Sequence, residues 1–164
     1  MMSQAPNKNH HDLDSFEIKI IRLMQEDARL STAELAERVG LSQAPCWRRV
    51  QRLRSEGYIK REVAIIDRDK VGLNAQVFAQ VKLNAHGRQH LDDFAAAIRE
   101  FPEVLEAFVL MGNVDFLLRI VAADINAYER FFFEKLSRVP GVQEINSVVA
   151  LSEIKSTTAL PVYP

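Results

Sequence analysis

The chain has 164 residues, is 48% hydrophobic and 26% charged, and carries 21 Lys+Arg against 22 Asp+Glu for a net charge of −1. This is the composition of an ordinary globular protein with enough chain to bury one large or two small cores. The single cysteine, Cys46, excludes an intramolecular disulfide framework and a Cys-rich zinc module.

Met1–Asp12 is polar and contains no secretory h-region. It reads as a disordered tail over residues 1–12. No wholly apolar run is longer than Ala107–Met111, far short of a membrane span, so a cytoplasmic protein with no membrane partner is expected. The near-zero charge argues, at face value, against a nucleic-acid binder. By segment it does not: residues 1–41 carry −2, residues 42–61 carry +5, residues 62–87 balance, and residues 88–164 carry −4. The basic block holds Arg48, Arg49, Arg52, Arg54, Lys60 and Arg61 against Glu56 alone. Such a run is either a solvated helix face or a phosphate-binding patch.

The first third reads as three helices. Asp14 with Glu17 has capping-box spacing, and Phe16, Ile20, Leu23 and Met24 then recur at helical intervals through to Asp27. Ser31 with Glu34 opens a second helix, whose apolar side is Leu35, Ala36 and Val39, and Gly40 stops it. Ser42 is placed to cap a third, with Pro45 in the first turn, where its missing N–H costs nothing. This helix runs to about Glu56 and ends at Gly57. A tight Gly-containing turn between the second and third helices is a helix-turn-helix signature, and the third helix is the one that would enter DNA.

At about 100° per residue, Cys46, Val50 and Leu53 of this helix fall inward. Ala44, Arg48, Gln51, Arg52 and Ser55 fall outward, with Trp47 and Arg54 on a flank. Arg can bind guanine bidentately and Gln can bind adenine, while other basic side chains neutralise phosphates. The candidate DNA-binding residues are therefore Ser42, Gln43, Ala44, Trp47, Arg48, Arg49, Gln51 and Arg52. Trp47 is either a structural flank or a backbone contact, and Cys46 reads as a small core residue rather than a nucleophile.

Beyond residue 62, Val63–Ile66 reads as a short linking strand and Gln76–Leu83 as a second strand. A segment then recurs at an offset of 38 residues. Phe94, Ile98, Pro102, Val104, Glu106 and Leu110 match Phe132, Leu136, Pro140, Val142, Glu144 and Val148. Each copy is a helix ending before a proline, then a strand beginning at the valine. With Gln76–Leu83 before the first copy and Phe116–Val121 between them, the order is strand-helix-strand-strand-helix-strand. That is the ferredoxin-like split βαβ arrangement.

Phe131, Phe132 and Phe133 spread over about 200° of the second helix. Phe132 aligns with Ile125, Tyr128 and Leu136 toward the sheet, which leaves Phe131 and Phe133 on either side. The wide apolar surface is either covered by a neighbouring loop or forms a subunit interface, and a dimer suits two-fold DNA sites. Met111-Gly112-Asn113-Val114-Asp115 is a turn between strands. Its backbone N–H groups can receive a carboxylate and Asp115 can face an ammonium group. Equally, Asp115 can simply cap the hairpin.

The runs Leu13-Asp14-Ser15-Phe16-Glu17, Asp27-Ala28-Arg29-Leu30-Ser31, Glu34-Leu35-Ala36 and Val39-Gly40-Leu41-Ser42 resemble the Lrp/AsnC, or feast/famine, family of transcription regulators. The likeness continues through Pro45-Cys46-Trp47-Arg48-Arg49-Val50-Gln51-Arg52-Leu53 and Gly57-Tyr58-Ile59. It includes Asp67–Gly72 and the Gly112–Asp115 loop, and so covers essentially the whole chain. The resemblance implies an α+β protein. A winged helix-turn-helix (13–61) is followed by a linking strand (62–73) and a C-terminal ferredoxin-like αβ-sandwich (74–164; βαββαβ, RAM-type). The sandwich binds an effector and assembles the chain.

By the same resemblance Met111, Gly112, Asn113, Val114, Asp115 and Ser147 are effector-binding. The partners it implies are double-stranded DNA, an amino acid, and further copies forming a homodimer or a higher homo-oligomer such as an octamer, in a nucleoid-associated protein. Glu17 stands where the family usually has Asp, and Asn113 and Val114 stand where an acidic residue and an aromatic are common.

Enzymatic signatures are scarce. The six glycines are isolated, so there is no P-loop or dinucleotide fingerprint. His86 and His90 share a four-residue spacing without the glutamate of a zinc-hydrolase helix, and His10 and His11 fall in the tail, so no metal site is expected. Asp92 and Asp93 suit a helix N-terminus better than acid/base chemistry. Neither a catalytic residue nor a cofactor is predicted. The expectation is a sequence-specific regulator responding to a small effector. Its alternatives are an architectural DNA binder without effector and a regulatory subunit of a metabolic enzyme.

Overall fold

The computed structural model describes residues 13–89 and 91–163. The expected tail, residues 1–12, and His90 lie outside them. Two compact units are present, one built from residues 13–64 with 155–163 and the other from residues 65–154.

The first unit is a three-helix cluster. Helix α1 (Ser15–Glu26) begins with a complete capping box: the Glu17 N–H donates to Asp14 Oδ1 at 2.7 Å and the Asp14 N–H donates to Glu17 Oε2 at 2.9 Å. Helix α2 (Thr32–Val39) repeats the device with Ser31 and Glu34. Gly40 ends it at φ 80°, while the Leu41 N–H reaches back to the Ala36 carbonyl at 2.8 Å. That left-handed closure favours glycine because it costs no Cβ clash. Helix α3 (Gln43–Ser55) starts after Ser42, but the Ser42 side chain makes no capping bond, contrary to expectation. Apolar packing holds α3 instead: Ile20, Leu35, Ala36, Val39, Cys46, Val50 and Leu53 form one buried cluster. Burial raises the Cys46 thiol pKa, as suits a core side chain.

Val63–Ile66, read as a linking strand, has no ladder pairing among the described residues, and Val63, Ile65 and Ile66 are exposed. Apolar alternation alone does not make a strand, because the backbone needs a neighbouring edge to pair with.

The second unit is a four-stranded antiparallel sheet in the order β2-β3-β1-β4. Its strands are β1 (Ala75–Leu83), β2 (Val104–Val109), β3 (Phe116–Ala122) and β4 (Val142–Val149). Helices α5 (Leu91–Arg99) and α6 (Ile125–Glu134) supply the two crossovers, giving the split βαβ order that the 38-residue repeat implies. Val77, Ala79, Val81, Leu118 and Ile120 pack against Phe94, Ile98, Tyr128, Phe131 and Leu136. Alternate residues of the sheet point away from the helices. On that open side are Phe78, Gln80 and Lys82 of β1, opposite Arg119 and Leu117 of β3 and Val148, Asn146 and Glu144 of β4.

Two departures concern helices. A short helix α4 (Ala85–Gln89), with a glycine inside it, carried no propensity signal. It forms where Gly87 lies backbone-to-backbone against Gly141: a Cβ on Gly87 would stand 2.8 Å from the Gly141 Cα. The phase of α6 also differs from expectation. Phe131 is 4% exposed and stands edge-on to Phe101, with ring centroids 5.5 Å apart, Phe132 is half-buried, and Phe133 is 58% exposed. Leu136 lies in a separate 3₁₀ turn, Leu136–Arg138. It therefore cannot set the helical phase from which Phe132 was assigned to the sheet.

Candidate nucleic-acid interface and effector cleft

Helix α3 buries Cys46, Val50 and Leu53 and exposes Ser42, Gln43, Ala44, Trp47 and Arg48, with Gln51 half-buried beside them. Gln43, Ala44, Trp47, Arg48 and Gln51 recur at intervals of three and four and so share one face. They occupy the first turns of the helix, the part that meets base edges in helix-turn-helix docking. Trp47 is 53% exposed, an unusual position for so large a ring unless something stacks on it.

The arginines of α3 divide by role. Arg49 donates from Nε to Asp14 Oδ2 at 2.9 Å, reaches the Pro45 carbonyl, and lies 5.4 Å from the Phe16 ring centroid. Arg52 donates from Nη1 to Glu17 Oε1 at 2.6 Å and from Nε to Glu56 Oε1 at 3.1 Å. These hydrogen bonds, to Glu17 first and Glu56 second, raise its pKa further. Arg54 pairs with Glu62 at 2.7 Å. Arg48 is exposed and pairs with no carboxylate among the described residues. Thus the basic block of the sequence is partly spent inside its own unit. Glu56 is four positions from Arg52, but Asp14 and Glu17, which take up Arg49 and Arg52 from α1, stand 35 positions away, and charge counting along the chain could not find them. Glu17, a charged residue within the apolar periodicity of α1, was the available signal.

The loop after β2 is held by Asp115. Its carboxylate accepts from the Leu83 N–H at 2.7 Å, its own N–H donates to the Val81 carbonyl at 2.9 Å, and its carbonyl accepts from Leu110. Met111 is fully exposed. Gly112 adopts φ 156°, a region that essentially only glycine visits. Asn113 and Val114 line a cleft of about 200 Å³ with Gln80, Lys82, Glu144 and Asn146, on the open side of the sheet.

Ser147 is not brought into that cleft. It lies opposite Ala79 on the helix side of the sheet, with its Oγ 2.5 Å from the Tyr128 hydroxyl. Burial raises the Tyr128 pKa against the opposing effect of this hydrogen bond. Lys82 and Glu144, register partners across β1 and β4, are the residues that sequence reasoning missed. They are adjacent only through strand pairing. A larger apolar groove of about 340 Å³ runs between α5 and the edge strand β2, lined by Phe94, Ile98, Leu105, Val109 and Phe116 among others.

A winged helix-turn-helix DNA-binding family matches residues 13–60, and the Lrp/AsnC ligand binding domain family matches residues 76–160. The chain belongs to the Lrp/AsnC family. The glutamate uptake regulatory protein of Zymomonas mobilis is 39% identical over 149 residues, covering 91% of this chain and 90% of the relative. The DNA-binding transcriptional activator DecR of Escherichia coli is 36% identical over 150 residues, covering 92% and 99%. A crystal structure described as a transcriptional regulator in complex with L-Met, from Neisseria meningitidis, superposes with a TM-score of 0.87 at 40% identity, covering 91% of this chain and 96% of that one. The chain is thus a DNA-binding transcription regulator with a ligand-binding domain, and not an enzyme. Among the described residues, no helix is long and apolar enough to cross a membrane.

Proposed function

We propose that this regulator binds specific DNA sites through the first turns of α3 and that its sheet unit binds a free amino acid and assembles the chain. The observation that carries the effector reading is the cleft, where Lys82 and Glu144 stand as register partners beside Asn113 and Val114. A cation and an anion this close suit the carboxylate and ammonium of one zwitterion. The L-Met in the related Neisseria meningitidis structure supports the same ligand class. Gly112 and Asp115 shape the loop, Met111 projects from it, and Ser147, hydrogen-bonded to Tyr128 on the opposite face, lies outside the cleft.

On α3, Arg48 and Gln51 read base edges, Ala44 permits close approach, and Ser42, Gln43 and Trp47 meet the backbone. Arg49 and Arg52 contribute positive field while holding the helix in place. An effector that binds one arrangement of subunits better than another shifts the population of DNA-competent forms. Such a protein acts in the cytoplasm, at the nucleoid.

Assembly is supported by the open sheet face, where Phe108 is 50% and Val148 54% exposed beside half-buried Phe78 and Leu117. Apolar side chains gathered on one face mark an interaction surface, and an isologous dimer is its simplest occupant. Higher closed assemblies such as an octamer extend from that dimer. Sedimentation at micromolar concentration is expected to show at least a dimer, and a purely monomeric 18.7 kDa species would overturn this.

A thermal-shift screen of the twenty amino acids tests the effector reading. A binder present at a hundredfold excess over its Kd stabilises by about 2.7 kcal/mol through mass action. A flat response to all twenty overturns the amino-acid reading and leaves the architectural alternative.

A further inference from the structure

The last residues of the chain dock on the DNA-binding unit. Residues 155–163 belong to the same compact unit as α1, although the chain enters the sheet unit at residue 65 and leaves it only at residue 154. The contact is made by the backbone of the tail. Gln25 donates from Nε2 to the Leu160 carbonyl at 3.1 Å and accepts from the Leu160 N–H at Oε1 at 2.6 Å. The Arg22 guanidinium donates to the Val162 carbonyl from Nη2 at 2.6 Å and from Nε at 3.0 Å.

Gln25 and Arg22 are three apart on α1 and therefore share a helix face. Leu160 and Val162 are two apart, the spacing at which an extended chain presents its carbonyls on one side. Leu160 and Tyr163 stay 71% exposed and Val162 is half-buried, so main-chain hydrogen bonds carry most of the contact. Pro161 lies between the two anchored residues. Its ring fixes φ and lowers the entropy lost on docking. It also removes the one N–H between them that would otherwise need a partner.

We propose that Leu160–Val162 is a built-in peptide ligand for the Arg22–Gln25 face of α1, and that it straps the DNA-binding unit to the far end of its own chain. The two units are then joined twice, by the linker after residue 64 and by the tail. A change in the ligand-binding unit reaches the DNA-binding unit from both ends.

Hydrogen exchange on the full chain tests the strap directly. The Leu160 amide is expected to exchange roughly tenfold or more slowly than an unprotected amide, and Gln25→Ala is expected to remove that protection while leaving the buried amides of α1 slow. An unprotected Leu160 in the native chain, or protection that survives Gln25→Ala, overturns the proposal. If Gln25→Ala loosens α1 itself, truncation after Ser156 and Arg22→Ala give the same comparison from the other side: both must raise exchange at the Arg22–Gln25 turn, and no change in either overturns the docking.

A short bis-maleimide crosslinker on Glu26→Cys/Leu160→Cys, which keeps both Arg22 and Gln25, assigns the occupant, because Cys46 is buried. An intrachain crosslink supports the strap. A covalent dimer means the tail belongs to a second copy and overturns the same-chain assignment, and absence of crosslinking overturns the contact.

Discussion

Glu17 and Arg52 are joined by a 2.6 Å hydrogen bond in which the carboxylate is 3% and the guanidinium 36% exposed. Glu17 is one residue with two duties. Its Oε2 closes the capping box at the start of α1, and its Oε1 receives the arginine of α3. Helix α3, the proposed DNA-facing helix, is therefore fixed to α1 by a residue that a charge count assigns to DNA binding. Breaking such a buried pair from one side leaves an uncompensated charge, which is more damaging than never having had the pair.

Arg48 and Arg52 should accordingly separate in their effects. Arg48→Ala is expected to weaken specific DNA binding by about 1–3 kcal/mol without lowering Tm. Arg52→Ala is expected to lower Tm, with any loss of DNA affinity following from displacement of α3. Paired melting curves and DNA titrations check this, and equal Tm values with equal affinity losses would refute the division.

Gly87→Ala places a methyl group 2.8 Å from the Gly141 Cα. The neighbour is backbone on both sides, so no flexible side-chain end can yield. A cost of about 1–3 kcal/mol is expected, read as a drop of several degrees in the calorimetric Tm. An unchanged melting profile would mean that α4 can shift freely.

Acid should unfold the helical unit by a specific route. The Arg29 guanidinium, then the Arg29 N–H, bring the Asp27 pKa down to about 2. Hydrogen bonds from Ser31 lower that of Glu34. Burial alone would raise the Asp14 pKa, but its hydrogen bonds from Glu17 and Arg49 outweigh this and bring it down. A carboxyl with a depressed folded pKa stabilises above its unfolded value and loses that contribution as pH falls through the folded one. The losses therefore run from about pH 4.5 down to about pH 2. Asp27→Asn is expected to lower Tm at pH 6 and to converge with the native chain near pH 2. A gap that stays constant across that range contradicts the linkage.

Asp115 should act through its oxygen. The Leu83 N–H needs an acceptor at that point, and Asn supplies one where Ala does not. Asp115→Ala is expected to abolish the amino-acid-dependent rise in Tm and Asp115→Asn to keep it, with DNA affinity unaltered in both. Loss in both variants would assign the role to the charge itself.

Much of this was legible in one dimension. The two capping boxes, the Gly40 stop, the inward set Cys46, Val50 and Leu53, and the 38-residue repeat all depend on residues within a few turns of one another or on a repeating period. Local hydrogen bonding and helical or strand periodicity act at that range, and they leave a pattern in the order of residues. The order of the elements, and with it the ferredoxin-like class, followed.

What stayed hidden depends on partners distant in the chain. The α1 carboxylates Asp14 and Glu17 that engage Arg49 and Arg52, the Lys82–Glu144 pair across two strands, Ser147 turned to Tyr128, the Gly87–Gly141 contact and the return of Leu160 to Gln25 have no periodicity to announce them. The sequence by itself determined most of the helices and strands, α4 and the unpaired Val63–Ile66 segment excepted, because short-range sterics, capping and burial decide those. Only the tertiary structure decided which arginine of α3 pairs with no carboxylate among the described residues and which charges share a cleft. Those outcomes are set by which side chains meet once the chain has folded back on itself, and a solvent-exposed charge and a paired one are written with the same letter.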